Sequence, residues 1–297
     1  MTRREICSGT TQNKQRRYFA FLLRCTHSLA GLAFTLFLCE HIFTNMLASS
    51  YLSYGKGFIA IVDNFHKVPG LKIIEVVCLA LPFICHALIG IVYLFQGESN
   101  SYPGDGSRPY LPYARNYAYT WQRWTAWILL FGVAIHVVHL RFLRYPMHID
   151  LPQGSYYVVT IDPSRYTAIV KGTDAFLVMN VPEAEMMIPR VDKQEFKKAC
   201  PDLFLKNGSY LFTPNAGRAF LYVVRDVLGI LWVAVFYTVL VLAAAFHGLN
   251  GLWTFCSRWG VMISSRKQLY LRTLYYVAMI VVVFMGVSVI WNLYSVA

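Results

Sequence analysis

Apolar residues in this chain gather into five long runs, separated by short polar stretches and one extended polar interval. The first run is Thr26 to Leu52, interrupted by Glu40 and His41. The second is about Leu71–Phe95, carrying Glu75, and the third about Trp121–Leu143, uncharged from Trp124 to Leu140. The fourth is about Ala219–Phe246, uncharged from Val227 onward, and the fifth about Leu271–Leu293. A helix needs roughly 20 mostly apolar residues to cross a bilayer. In lipid every backbone N–H and C=O must be paired within the segment or a closed barrel, and runs of this length select helices. The pattern therefore predicts an all-α membrane protein with five transmembrane helices. The first run is too long for a signal-peptide core and lacks a small-residue cleavage site.

The polar interval has a different rhythm. Tyr156–Ile161 and Tyr166–Val170 are rich in β-branched and aromatic residues and flank Asp162-Pro163-Ser164, which predicts a β-hairpin. Acidic and basic residues then alternate through Glu183–Lys198, punctuated by Pro182, Pro189 and Pro201. The chain thus divides into a basic N-terminus (1–24), helices one to three (25–145), a small α/β or β insert (146–218) and helices four and five (219–297).

Composition agrees with the membrane class: 57% of the 297 residues are hydrophobic and 14% charged, against about 25% charged in soluble domains. The net charge of +12 does not indicate nucleic-acid binding, because the basic residues lie between apolar spans, where they meet anionic lipid and set topology. With the N-terminus inside, segments 1–24, 97–120 and 250–270 carry six, two and three Lys or Arg, against two in the short outer loop 53–70. This predicts a cytoplasmic N-terminus and places the insert outside. None of the seven cysteines forms a C-x-x-C or C-x-x-C-H motif, so covalent attachment of a c-type haem is unsupported.

The histidines change the picture most. His41, His86, His136 and His247 belong to four separate spans, with His139 a second in the third. Ionisable groups in a bilayer are costly and point to function. One such residue alone reads as a hydrogen-bonded bundle histidine. Four on four helices point to haem, because neutral imidazole is a standard axial ligand and two helices can clamp one iron from both faces. At 1.5 Å per residue, His41 and His136 lie roughly 25 and 20 Å from the inner boundary, and His86 and His247 roughly 15 and 16 Å. The depths pair His41 with His136 and His86 with His247. Gly90, Gly132 and Gly251 stand four residues from His86, His136 and His247, and are expected to leave room for a flat macrocycle. Haem propionates need donors near an interface. His27, Ser28, Gln122, Arg123 and Arg258 are candidates on the inner side and Arg141 on the outer, each with the alternative of an interfacial or helix-end role.

At these residues the chain resembles the single-subunit, di-haem cytochrome b of succinate:quinone oxidoreductases (succinate dehydrogenases and fumarate reductases). The similarity is carried by His27-Ser28-Leu29-Ala30-Gly31, Glu40-His41 with Asn45, Leu81-Pro82-Phe83-Ile84-Cys85-His86-Ala87, Gln122-Arg123, and His136-Val137 with Arg141. It continues through Phe246-His247-Gly248-Leu249-Asn250-Gly251-Leu252-Trp253, Trp259-Gly260 and Ser265-Arg266. It spans all five helices, roughly 17–145 and 219–295, and not 146–218. The resemblance implies two haem b groups, with His86 and His247 on the proximal one and His41 and His136 on the distal one. It also implies flavoprotein and iron–sulfur partner subunits on the cytoplasmic face of a bacterial inner membrane, a membrane quinone as substrate, and no succinate site in this chain. His139 is expected to be structural. Asp63, His66 and Glu75, with Glu40, are candidates for quinone contact near the distal haem. The competing readings are a di-haem anchor of another quinone-linked dehydrogenase, such as a hydrogenase or formate dehydrogenase, and a transporter relaying protons through midplane histidines.

Overall fold

The computed structural model describes residues 3–98, 100–151, 154–174, 178–181, 208–261 and 264–297. Five helices are long and apolar enough to cross a membrane: α1 (Arg3–Met46), α3 (Leu71–Gln96), α4 (Ala114–Leu143), α7 (Leu231–Arg258) and α8 (Ser265–Val296). A short helix, α2 (Lys56–His66), follows the turn after α1. Strands β1 (Met147–Leu151) and β2 (Gly154–Ile161), helix α5 (Tyr166–Val170), strands β3 (Val178–Val181) and β4 (Gly208–Thr213) and helix α6 (Ala216–Leu228) lie between α4 and α7. The chain is therefore read as a multi-pass membrane protein with a small α/β insert.

Local chemistry sets the helix limits. α1 does not begin at the apolar boundary near residue 25; it runs unbroken from Arg3. Residues 13–25 contain no Gly or Pro and many straight-chain helix formers, so nothing stops the helix in its polar part. It ends at Met46, six residues short of the expected Leu52. Asn292 Oδ1 there accepts hydrogen bonds from Ser49 Oγ (2.8 Å) and the Ser50 N–H (2.8 Å), which hold the chain in a turn. In α3, residues Val76–Ala80 form a wide π turn, with the Leu81 N–H bonded back to the Val76 carbonyl. Pro82 follows directly. It has no N–H and would crowd the carbonyl four residues earlier, so the wider turn relieves the clash. α4 finishes in a second π turn, Val138–Leu143.

The chain packs as two compact units. One comprises residues 1–39, 72–127 and 244–279, and so holds the first part of α1, most of α3, and adjoining parts of α4, α7 and α8. In it, Phe34 packs on Phe83, and Gly248 lets α7 approach Thr35 and Leu38 of α1.

The other unit comprises residues 40–71, 128–243 and 280–297 and contains the insert. Its sheet has the order β1-β2-β4-β3, antiparallel throughout. β2 pairs Met147 with Val158 on one side and Tyr157 with Thr213 on the other. The expected hairpin between Tyr156–Ile161 and Tyr166–Val170 is not formed, because the second segment is helical. Asp162 accepts a hydrogen bond from the Ser164 N–H (3.0 Å) and starts a 3-10 turn through Pro163–Arg165 that leads into α5. The expectations for Glu183–Lys198 and Pro182, Pro189 and Pro201 fall outside the described residues.

The fourth apolar run is not one helix. α6 ends at Leu228, Gly229 caps it through the Arg225 carbonyl, and α7 starts afresh at Leu231. α6 belongs to the insert's core. Its Arg225 is 3% exposed and donates to the carbonyls of Ile169, Lys171 and Tyr54, each at 2.8 Å. Burial lowers the Arg225 pKa to about 10 and raises that of neighbouring Tyr222 to about 12. The guanidinium stays charged at neutral pH and clamps Tyr54, which with Ser53 and Gly55 adopts left-handed backbone, a geometry that non-glycine residues hold only when surrounding contacts enforce it. Asp226, also 3% exposed, receives Arg144, just past the end of α4, and Arg165 as ion pairs and the Asp162 N–H as a hydrogen bond.

Gly217 presses α6 onto α2. A Cβ there would lie 2.8 Å from Ile59 Cα and closer still to its carbonyl oxygen. Backbone cannot swing aside as a side chain can. We expect Gly217→Ala to destabilise this unit by about 2 kcal/mol, seen as a lower thermal midpoint in detergent. Gly104→Ala, with nothing within 4 Å, should leave the midpoint unchanged.

Candidate functional site

The four intramembrane histidines meet in the two predicted pairs, one within each unit. His86 of α3 faces His247 of α7, with ring centroids 6.2 Å apart and planes at 85°. His41 of α1 faces His136 of α4 at 5.9 Å and 83°. Two imidazoles on opposite faces of one metal, each bonded at about 2 Å, place their ring centres roughly 6 Å apart. The spacing of both pairs therefore suits a shared metal.

Around His86 and His247 the ring nitrogens are differentiated. His86 Nδ1 lies 3.0 Å from the His27 carbonyl oxygen, and His247 Nδ1 lies 3.1 Å from the Gln122 carbonyl oxygen. A carbonyl only accepts, so each Nδ1 carries the proton and each Nε2 keeps its lone pair. That is the tautomer a metal-ligating imidazole adopts when its second nitrogen is held by a neighbouring carbonyl. The His27 ring stacks on His86 at 4.0 Å and 17°. Gly31, one turn further along α1, has no room for a side chain: a Cβ would stand 2.8 Å from His86 Cε1.

In the other pair His136 Nδ1 lies 3.3 Å from the Tyr237 hydroxyl, which can act as donor or acceptor. His41 Nε2 is 3.4 Å from the Asn45 amide nitrogen, which also donates to the His41 carbonyl at 2.8 Å. His139 sits in the π turn of α4, and its carbonyl accepts the Arg144 N–H.

The three glycines stand against protein side chains. A Cβ at Gly90 would touch His27 Nε2 (3.4 Å), one at Gly251 would touch Gln122 Nε2 (3.5 Å), and one at Gly132 would collide with Leu240 (2.6 Å). They admit protein side chains close to the histidines.

The propionate candidates are engaged in different ways. Ser28 Oγ accepts from the Trp259 indole at 3.2 Å. Arg123 donates to the carbonyls of Leu94 (3.0 Å) and Gly97 (2.8 Å), closing the end of α3, while its Nε is buried without a partner. Arg141 lies over the Tyr145 ring at 4.5 Å. Arg258 is exposed in the last turn of α7, where a cation complements the helix dipole.

The quinone candidates are divided between the two units. Glu75 belongs to the unit of His86, whereas Asp63 and His66 belong to that of His41. Asp63 accepts from Asn215 Nδ2 (2.5 Å) and the Gly217 N–H (2.7 Å), so it anchors the N-terminus of α6. His66 Nδ1 contacts the Val62 carbonyl at 2.9 Å, and its ring packs on Phe220. Glu40 accepts from Thr44 Oγ1 at 2.6 Å.

Gln122, Thr125 and Tyr237 are the residues whose part beside the histidines the sequence did not disclose. Thr125 Oγ1 lies 3.3 Å from His247 Nδ1. A tyrosine hydroxyl in mid-span needs a polar partner, and that signal, applied to Tyr237, would have led to His136.

Comparison of the chain with models of known protein families and with curated proteins found no match. Among the described residues no three His, Cys, Asp or Glu side chains converge as a protein-only metal site would require. A metal held by either imidazole pair would take its other ligands from elsewhere, as iron does from a porphyrin. The spacing of both pairs and the Nδ1–H tautomers of His86 and His247 fit haem.

Asp63 makes two hydrogen bonds to its charged carboxylate, worth about 1.5–3 kcal/mol apiece. Asp63→Ala should therefore lower the thermal midpoint of the purified protein clearly. A residue serving quinone contact alone would leave the midpoint in place.

Proposed function

We propose that this chain is the di-haem cytochrome b membrane anchor of a succinate:quinone oxidoreductase, linking soluble flavoprotein and iron–sulfur subunits to a membrane quinone. The observation that carries the reading is the pair of crossed imidazole couples, at 5.9 and 6.2 Å, each drawn from two separate helices. His86 and His247 would hold one haem b, and His41 and His136 the other. Bound haem supplies one-electron chemistry between ferric and ferrous iron. The chain's own residues hold and orient: the carbonyls of His27 and Gln122 fix the proton on Nδ1, and Gly31 gives the His86 ring space. The sequence motifs at His27–Gly31 and Phe246–Trp253 support the succinate-linked member of this class over other quinone-linked anchors. The basic segments 1–24 and 250–270 support a cytoplasmic docking face in a bacterial inner membrane.

The test is a pyridine haemochrome assay on protein made with ample porphyrin supply. Wild type should carry two haem b per chain. His86→Ala and His247→Ala should each fall to one, as should His41→Ala and His136→Ala, while His86→Ala combined with His41→Ala should give none. Correctly folded, colourless wild-type protein would defeat the haem assignment. Flavin that co-purifies and is reduced by succinate distinguishes this complex from a hydrogenase or formate dehydrogenase anchor.

A further inference from the structure

Gln122 touches His247 twice, through two different groups. Its main-chain carbonyl accepts the imidazole Nδ1–H (3.1 Å), and its side-chain Nε2 donates to the His247 main-chain carbonyl (2.9 Å). The far end of the amide is fixed as well, because Asn250 Nδ2 donates to Gln122 Oε1 at 2.7 Å. Asn250 follows His247 by three residues on α7, so one face of that helix grips the glutamine at the histidine and again nearly one turn beyond it. Gly251 lies alongside, its Cβ position 3.5 Å from the amide nitrogen, an ordinary van der Waals distance.

The carbonyl contact fixes the tautomer of the ring. The side-chain contacts fix where that carbonyl stands, because they pin α4 to α7 at this level. Removing the glutamine side chain keeps the carbonyl in the chain but releases the pin. We propose that Gln122 is a positioning residue that sets the orientation of the His247 imidazole and the strength with which its Nε2 holds a metal. This rests on the haem reading above. The opposite ligand has a parallel arrangement, in which the His27 carbonyl holds His86 Nδ1 and the His27 ring occupies the space left by Gly90. There the side chain stacks on the ligand instead of bonding to its backbone.

Gln122→Ala and Asn250→Ala in the full-length holoprotein test the assignment, with the His41–His136 site as an internal control. Loss of a partner that orients a metal-ligating histidine weakens metal affinity about 10–100-fold. Transfer of haem from the His86–His247 site to apomyoglobin should therefore accelerate about tenfold or more in Gln122→Ala. It should accelerate less in Asn250→Ala, where the amide loses its anchor but keeps its bond to His247. The low-spin ferric electron paramagnetic resonance signal of the same site should shift in both variants, because it reports imidazole orientation. The His41–His136 signal and its haem transfer rate should stay as in wild type. If both variants keep wild-type transfer rates and unshifted signals, Gln122 is not a positioning residue and the haem reading stands. Equal acceleration at both sites would show a general loosening of the bundle and also defeats the proposal. If wild type binds no haem, the underlying reading fails first. Should Gln122→Ala fail to assemble, the Asn250→Ala signal decides.

Discussion

A neutral imidazole inside a bilayer has two nitrogens to satisfy and no water to do it. Around this constraint the His86–His247 half of the bundle is arranged. Each ring gives its Nδ1 proton to a main-chain carbonyl on a neighbouring helix. Helical carbonyls already accept one hydrogen bond, but their second lone pair is available, so a bundle can hold an imidazole without giving up its backbone ladder. The contact demands that α1 approach α3, and α4 approach α7, closely enough for a ring to reach a backbone. Glycine at 31 meets that demand, because a Cβ there would stand 2.8 Å from His86 Cε1.

The same logic explains what the sequence disclosed and what it hid. The five spans were legible because lipid imposes length and apolarity on any helix that crosses it. The pairing of the histidines was legible because depth along a helix is a fixed rise multiplied by a residue count. Helix ends were not legible from apolarity, because they depend on partners far away in the chain. α1 stops where Asn292 captures Ser49 and Ser50, 243 and 242 residues away in sequence. The boundary between α6 and α7 was masked because residues on both sides of Gly229 are apolar for different reasons, one set facing a protein core and the other facing lipid. Arg225-Asp226 within the run was the readable sign of that change, since two adjacent charges belong in a networked core and not on a lipid-facing turn.

The glycines four residues from the histidines thin the helix faces on which those rings stand. Glycine four residues from a histidine was expected to clear space for a flat ring system. Its neighbours are a histidine ring, a glutamine amide and a leucine. Spacing tells which face of a helix must be thin, and only the packed structure tells what fills the gap. The hairpin expectation failed at its second segment, which is helical. Asp162-Pro163-Ser164 is a turn signal, but a capped 3-10 turn after Asp162 starts a helix as readily as it reverses a strand, and β2 found its partners in β1 and β4.

Asp63 shows how a polar residue near a span can be engaged at the terminus of a neighbouring helix. Asp63 is acidic, close to an apolar boundary and beside a histidine three residues on. Both of its oxygens are nevertheless occupied by the N-terminus of α6, where the positive end of the helix dipole favours a carboxylate. Releasing that carboxylate to a ligand would uncap the helix that carries Arg225, and with it the clamp on the left-handed turn at Ser53–Gly55. The histidine pairs differ in kind. Each brings two costly groups from distant parts of the chain to a spacing that suits one shared atom, and the contacts around His86 and His247 leave the Nε2 lone pairs as the groups still to be used. Convergence of that sort gives a reason for function that a single buried charge does not.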